Sequence, residues 1–147
     1  MFRAYVVRSK TFLPKFIRWF TNSYWDHMMI ASNDVVIEQL PEGHKMWSRH
    51  EYVNLVEDLR ELNLPELEEN KVHRWYAQNA DKKYDWVRTL TWPIRKIFKL
   101  NVGNKWNCVE QVRAAYLFCE KQPYGPKNKS PQQVVDEVGF KKDLLID

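Results

Sequence analysis

The stretch that decides the fold runs His27-Met28-Met29-Ile30-Ala31-Ser32-Asn33-Asp34-Val35-Val36-Ile37-Glu38-Gln39-Leu40. Two β-prone runs, residues 27–32 and 35–40, flank Asn33-Asp34, whose short polar side chains tolerate the φ > 0 conformations of a tight hairpin. With Asn33 and Asp34 as the loop, Ser32 faces Val35, Met29 lies opposite Glu38, and His27 lies opposite Leu40. His27 and Glu38 are then diagonal neighbours on one face, roughly 7–8 Å apart at the backbone and within side-chain reach. Symmetric lengthening of the loop keeps that parity. A carboxylate that accepts a hydrogen bond from an imidazole fixes its tautomer and stabilises its charged form, which is the task of the third member of a hydrolytic triad. The same pair also suits an ordinary polar contact on an exposed sheet face.

Working outward, residues 2–7 read as a strand, and Phe12, Leu13, Phe16, Ile17 and Phe20 recur at helical spacing. After Pro41 the chain becomes polar, and residues 54–70 read as an acidic segment with a helical piece broken near Pro65, passing over the surface. Helices are expected over 72–80 and 84–90. Pro93 opens a basic amphipathic piece over 94–100, and Val102-Gly103-Asn104 forms a turn. A helix starts near Cys108, its apolar residues Val109, Val112, Tyr116 and Cys119 recurring at three- and four-residue intervals. After the loop from Gln122-Pro123 to Lys129, a last short helix is capped by Ser130 with Pro131 in its first turn.

The chain has 147 residues, 44% hydrophobic and 14% aromatic, enough for one packed domain and too apolar for a disordered chain. No apolar run approaches the ~18 residues of a membrane span, and Arg3 and Arg8 interrupt any signal-peptide core, so a cytoplasmic location is expected. Cys108 and Cys119 form no CxxC, and the four histidines show neither HExxH nor a short Cys/His cluster, so no disulfide, metal or cofactor is indicated. The net charge of +4 is unevenly placed: residues 51–70 hold seven acids (Glu51, Glu57, Asp58, Glu61, Glu66, Glu68, Glu69) against the single base Arg60. Basic residues interleaved with aromatics at 3–18 and 82–105 suit a solvated face over core aromatics first, and a surface for an anionic partner such as nucleic acid second.

Asn107 stands at an N-cap position with Glu110 three residues on, an approximate capping box that puts Cys108 in the first turn of its helix. Unpaired backbone N–H groups and the positive end of the helix dipole there favour a thiolate nucleophile. Cys119, further along the apolar stripe, has no such help. The position of Cys108 also suits a small buried hydrophobe at a helix start.

A cysteine at a helix N-terminus, a histidine on a strand and a polar orienter on the adjacent strand make up the architecture of papain-like thiol hydrolases. Here the order is His27, Glu38, Cys108, whereas in papain the cysteine helix comes first. The stretch from Ile17-Arg18-Trp19-Phe20 through Trp25-Asp26-His27-Met28-Met29-Ile30, followed by Val36-Ile37-Glu38, resembles the histidine hairpin of the circularly permuted papain-like amidases, the YiiX-like relatives of NlpC-type cell-wall peptidases. Lys83-Tyr84-Asp85-Trp86 and Lys105-Trp106-Asn107-Cys108-Val109-Glu110 resemble that family's tyrosine-containing helix and cysteine motif, and Ser130-Pro131-Gln132-Gln133-Val134 its closing helix. The similarity spans residues 2–40 and 82–140, with Val109 where the family usually has serine.

The resemblance implies an α+β, circularly permuted papain-like (NlpC-type) domain over residues 1–147, an antiparallel sheet packed against the cysteine-bearing helix, with an acidic insertion at about 51–70. It implies Cys108 as nucleophile, His27 as base, Glu38 as orienter and Tyr84 near the oxyanion, cofactors none. The implied substrate is a peptide, a peptidoglycan fragment or a lipid acyl ester. A cell-wall role would need an exit route such as phage-encoded lysis, or a place in cytoplasmic recycling. The competing expectation is a papain-like scaffold that binds nucleic acid or a host protein, with Lys96 and Lys99 on its basic face.

Overall fold

The computed structural model describes residues 1–10, 24–40, 43–79, 83–84, 105–106, 108–126 and 129–142. Five antiparallel strands form the main sheet: β1 (Arg3–Ser9), β2 (His27–Ala31), β3 (Val35–Leu40), β4 (Gly43–Ser48) and β5 (Val56–Glu61), in the order β4-β3-β2-β1-β5. A short parallel pair, β6 (Lys83–Tyr84) and β7 (Lys105–Trp106), stands apart from it in pairing. The described helices are α1 (Arg49–Tyr52), continued by a 3₁₀ turn at Val53–Leu55, then α2 (Glu69–Asn79), α3 (Cys108–Phe118) and α4 (Pro131–Val138). Among the described residues no helix is long and apolar enough to cross a membrane. The chain is thus an α+β protein with an antiparallel sheet.

The central hairpin has the expected register. Ile30 pairs with Ile37 and Ala31 with Val36, the Ser32 N–H donates to the Val35 carbonyl at 2.9 Å, and the Ser32 hydroxyl accepts from the N–H groups of Asp34 and Val35. Side chains alternate across a strand, so each strand feeds two apolar layers. Phe2, Ala4, Val6, Met28, Ile30 and Ile37 form one layer with Val109, Val112, Ala115 and Tyr116 of α3 and with Val72 and Trp75 of α2. Tyr5, Val7, Met29, Ala31 and Val36 form the other layer, roofed by Tyr52. α3 lies across β2 and β3, because its stripe of Val109, Val112, Tyr116 and Cys119 is buried as its spacing requires.

Three expectations are corrected. The acidic stretch was expected to cross the surface with a helical piece broken near Pro65; instead residues 56–61 are β5, the edge strand paired with β1. Its acids are matched by cations: Arg8 binds Glu57 at 3.1 Å, and Arg3 and Lys141 both reach Glu61 and Glu66. Charge on a sheet edge is tolerated because one side of the strand faces water, and it discourages edge-to-edge association. Secondly, the polar run after Pro41 contains a strand, β4. Thirdly, Tyr84 belongs to a strand and not to a helix over 84–90: pairing with Trp106 outweighs the local helical spacing. Residues 85–90 lie outside the described residues, as do the expected helix over 12–20, the basic piece over 94–100 with Lys96 and Lys99, and the cap residue Asn107. The last helix follows its signals, with a full capping box between Ser130 and Gln133 and Pro131 in the first turn.

Candidate active site

His27 is the first residue of β2, and the segment before it is pinned. The Asp26 carboxylate accepts from the Ser9 N–H at 2.8 Å and from the Ser9 hydroxyl at 2.9 Å, while the Asp26 N–H donates to the Val7 carbonyl. The imidazole that follows has a side chain only 12% exposed. Its Nε2 lies 3.0 Å from Oε2 of Glu38, the diagonal partner fixed by the hairpin register. The Cys108 side chain lies close enough to act on the imidazole electrostatically, and since Glu38 occupies Nε2, Nδ1 is the atom left to face the sulfur.

Two opposing effects act on the His27 proton. Burial disfavours the imidazolium, but interaction with Cys108 and the hydrogen bond and charge of Glu38 favour it, and the net result lies well above the ordinary histidine value. His27 is therefore held in a setting that favours its protonated form, with the Glu38 carboxylate as hydrogen-bond acceptor at Nε2.

Glu38 is almost wholly buried, its side chain 3% exposed. A carboxylate in that position requires several donors, and three converge on it. His27 approaches Oε2, the Trp47 indole Nε1–H donates to Oε1 at 2.9 Å, and the buried Tyr52 hydroxyl lies close beside the carboxylate. Trp47 reaches Glu38 for the same geometric reason as His27. Val36 pairs with Trp47 in the β3–β4 register, so Trp47 and Glu38 are diagonal neighbours on one face. The Lys45 ammonium lies over the Trp47 ring at 3.6 Å from its centroid. Burial, followed by the charge of Glu38, pushes the Tyr52 phenol well above its ordinary value, so it stays a donor throughout the neutral range. Neither Trp47 nor Tyr52 was singled out from the sequence; recognising β4 would have exposed Trp47.

Cys108 opens α3 and is wholly buried. The Tyr124 hydroxyl donates to the Val109 carbonyl and ties the first turn to the loop after α3. Val109, standing where the resembling family has serine, is packed in the apolar layer. β7 leads directly towards Cys108, and its partner β6 lies beside β3 and β4, so the backbone at Tyr84 is near the strands that carry Glu38 and Trp47. Cys119 is set apart: burial pushes its thiol above the ordinary value, and it is not among the causes acting on His27. Among the described residues no group of three or more His, Cys, Asp or Glu side chains is arranged to hold a metal ion.

A second polar cluster lies one turn along α3. His44 of β4 is buried between the rings of Trp75 and Tyr76, with centroids 4.8 and 4.7 Å away. Its Nδ1 is 3.0 Å from the Asn79 carbonyl and its Nε2 is 2.9 Å from Nε2 of the buried Gln111. Burial, only partly offset by the Asn79 carbonyl, lowers its proton affinity to about 4. Sequence reading attached no role to this histidine, because its partners come from α2 and α3, far along the chain.

Cys108, His27 and Glu38 are thus brought together, His27 hydrogen-bonded to Glu38 and within electrostatic reach of Cys108, and the side chains around them come from β3, β4, α1 and α3. No protein-family model matches the chain, and no curated protein is significantly similar to it.

Proposed function

We propose that the protein is a cysteine hydrolase of the permuted papain-like kind, cleaving an amide or acyl ester bond through a thioacyl intermediate. The observation that carries this reading is the imidazole of His27 hydrogen-bonded to the buried Glu38 and within electrostatic reach of Cys108 at the start of α3. In this reading His27 Nδ1 removes the thiol proton and the thiolate attacks the carbonyl carbon. Negative charge then develops on the carbonyl oxygen, where the Cys108 backbone N–H at the start of α3 serves as donor. Collapse expels an amine or alcohol that takes the proton back from His27. A water, deprotonated by the same nitrogen, then splits the thioester and regenerates the thiol. Glu38 holds Nε2–H throughout, and Trp47 and Tyr52 hold Glu38. Peptides, peptidoglycan fragments and lipid acyl esters are the substrates in keeping with this chemistry, and a reducing cytoplasm suits its two free thiols.

The test is brief alkylation of the native protein with iodoacetamide near neutral pH, read by mass spectrometry. Cys108 is expected to react at least about tenfold faster than Cys119, and His27→Ala to abolish that advantage. Preferential modification of Cys119 would overturn the assignment.

A further inference from the structure

The cluster beside the proposed site holds an acceptor with nothing to accept from. Gln111 is wholly buried, and its Oε1 has no hydrogen-bond partner among the described residues. An unsatisfied buried carbonyl is costly, and in a native fold it calls for an explanation. Its orientation is fixed by a chain of three groups. The Asn79 backbone carbonyl can only accept, so the His44 Nδ1 facing it at 3.0 Å carries a hydrogen. His44 is neutral in its buried setting, so Nε2 presents a lone pair. Gln111 must therefore offer its NH₂ to Nε2, at 2.9 Å, which turns Oε1 away from His44.

Gln111 and Cys108 are three residues apart on α3, which makes them neighbours on the helix surface. Helical side chains lean towards the N-terminus, so the Gln111 side chain covers the turn that Cys108 begins. We propose that Gln111 Oε1 is a substrate-binding acceptor that takes an N–H from the group bound at Cys108, so that the site prefers amide-bearing substrates to simple esters. His44 is the positioning residue that keeps this oxygen turned away from the imidazole, with Asn79 behind it. This rests on the reading of Cys108 as the nucleophile, and it narrows the substrate class of that site to molecules with an N–H near the reacting carbon.

Two alkylating probes of similar size separate the two ideas. Iodoacetamide carries an amide N–H and methyl iodoacetate carries none; each forms a C–S bond to Cys108 with loss of iodide. The rate ratio of amide to ester probe at Cys108 is compared with the same ratio for free cysteine. It is expected to be about fivefold higher in the protein, the worth of one neutral hydrogen bond. Gln111→Leu should return the ratio to that of free cysteine by slowing only the amide probe. His44→Ala, which frees the amide to rotate, should lower it part of the way. Should Gln111→Leu unfold, the contrast between wild type and free cysteine, together with His44→Ala, still decides the matter. A ratio in wild type equal to that of free cysteine, or unchanged in Gln111→Leu, overturns this inference and leaves the hydrolase reading intact. Failure of both probes to modify Cys108 overturns both.

Discussion

Acidification tests the His44 cluster on its own. An unperturbed histidine takes up its proton near pH 6.5, whereas His44 in the fold does so only at about 4, chiefly because burial penalises the charged ring. The folded value lies below the unfolded one, so as pH falls the unfolded chain binds the proton first. The stabilisation is complete above about pH 6.5, is lost progressively as pH falls towards about 4, and changes no further below that. Each unit of separation corresponds to about 1.4 kcal/mol, so the whole loss is about 3 kcal/mol, a large share of the ~5–15 kcal/mol that holds a domain of this size folded. The assay is urea unfolding, followed by tryptophan fluorescence at about pH 7, 5.5 and 4, for the wild type and for His44→Gln. Glutamine cannot titrate, yet its amide can still donate to the Asn79 carbonyl and accept from Gln111. Carboxylates that titrate in the same range act in both proteins and cancel in the difference. The wild type should lose about 3 kcal/mol relative to the variant between pH 7 and pH 4. Parallel curves, with a difference constant to about 0.5 kcal/mol, would show that His44 is not held neutral by the fold and would remove the argument that orients Gln111.

The remaining predictions concern the support of Glu38 and the last helix. Trp47→Phe and Tyr52→Phe each remove one donor from the buried Glu38 carboxylate; each should lower the alkylation rate of Cys108 about three- to tenfold, and Glu38→Gln should shift its pH profile, since His27 loses the charge beside it. Thermal unfolding that shows the variants folded while their rates match wild type would mean that Glu38 needs no such support. Ser130→Ala breaks the capping box with Gln133 and should cost about 1 kcal/mol in denaturant unfolding, an effect that an unchanged midpoint would refute.

The hairpin and α3 were legible because their determinants are local. Asn33-Asp34 sets the turn, and a turn with a fixed loop sets every pair that follows, including the diagonal placement of His27 and Glu38. The stripe on α3 and the Ser130-Pro131 cap likewise lie within a few residues of each other. β4 and β5 escaped for the opposite reason. Gly43 to Ser48 contains only Met46 and Trp47 as large apolar side chains, and β5 is rich in charge; both are strands because they lie against β3 and β1. Tertiary pairing supplies what local propensity does not. The same limit hid Tyr52 and Gln111, whose partners Glu38 and His44 belong to other elements.

The place of His27 in its strand explains how residues from opposite layers can act together. Cys108 belongs to the layer between α3 and the Met28–Ile30 side of the sheet. Glu38 and His27 share the parity of Met29, which lies on the other side. A side chain in the middle of β2 could not meet both, because the sheet itself would separate Cys108 from Glu38. Met29 stands directly opposite Glu38 in register, but it is wholly buried in the layer roofed by Tyr52. His27, two residues nearer the strand end, keeps the diagonal reach to Glu38 and stands where β2 begins, so its ring can also meet the first residue of α3. The arrangement needs a diagonal pair, a strand start and a helix start at one point. Moving the histidine to position 29, or the cysteine to position 112 in the middle of α3, would take one of the three groups away from that point.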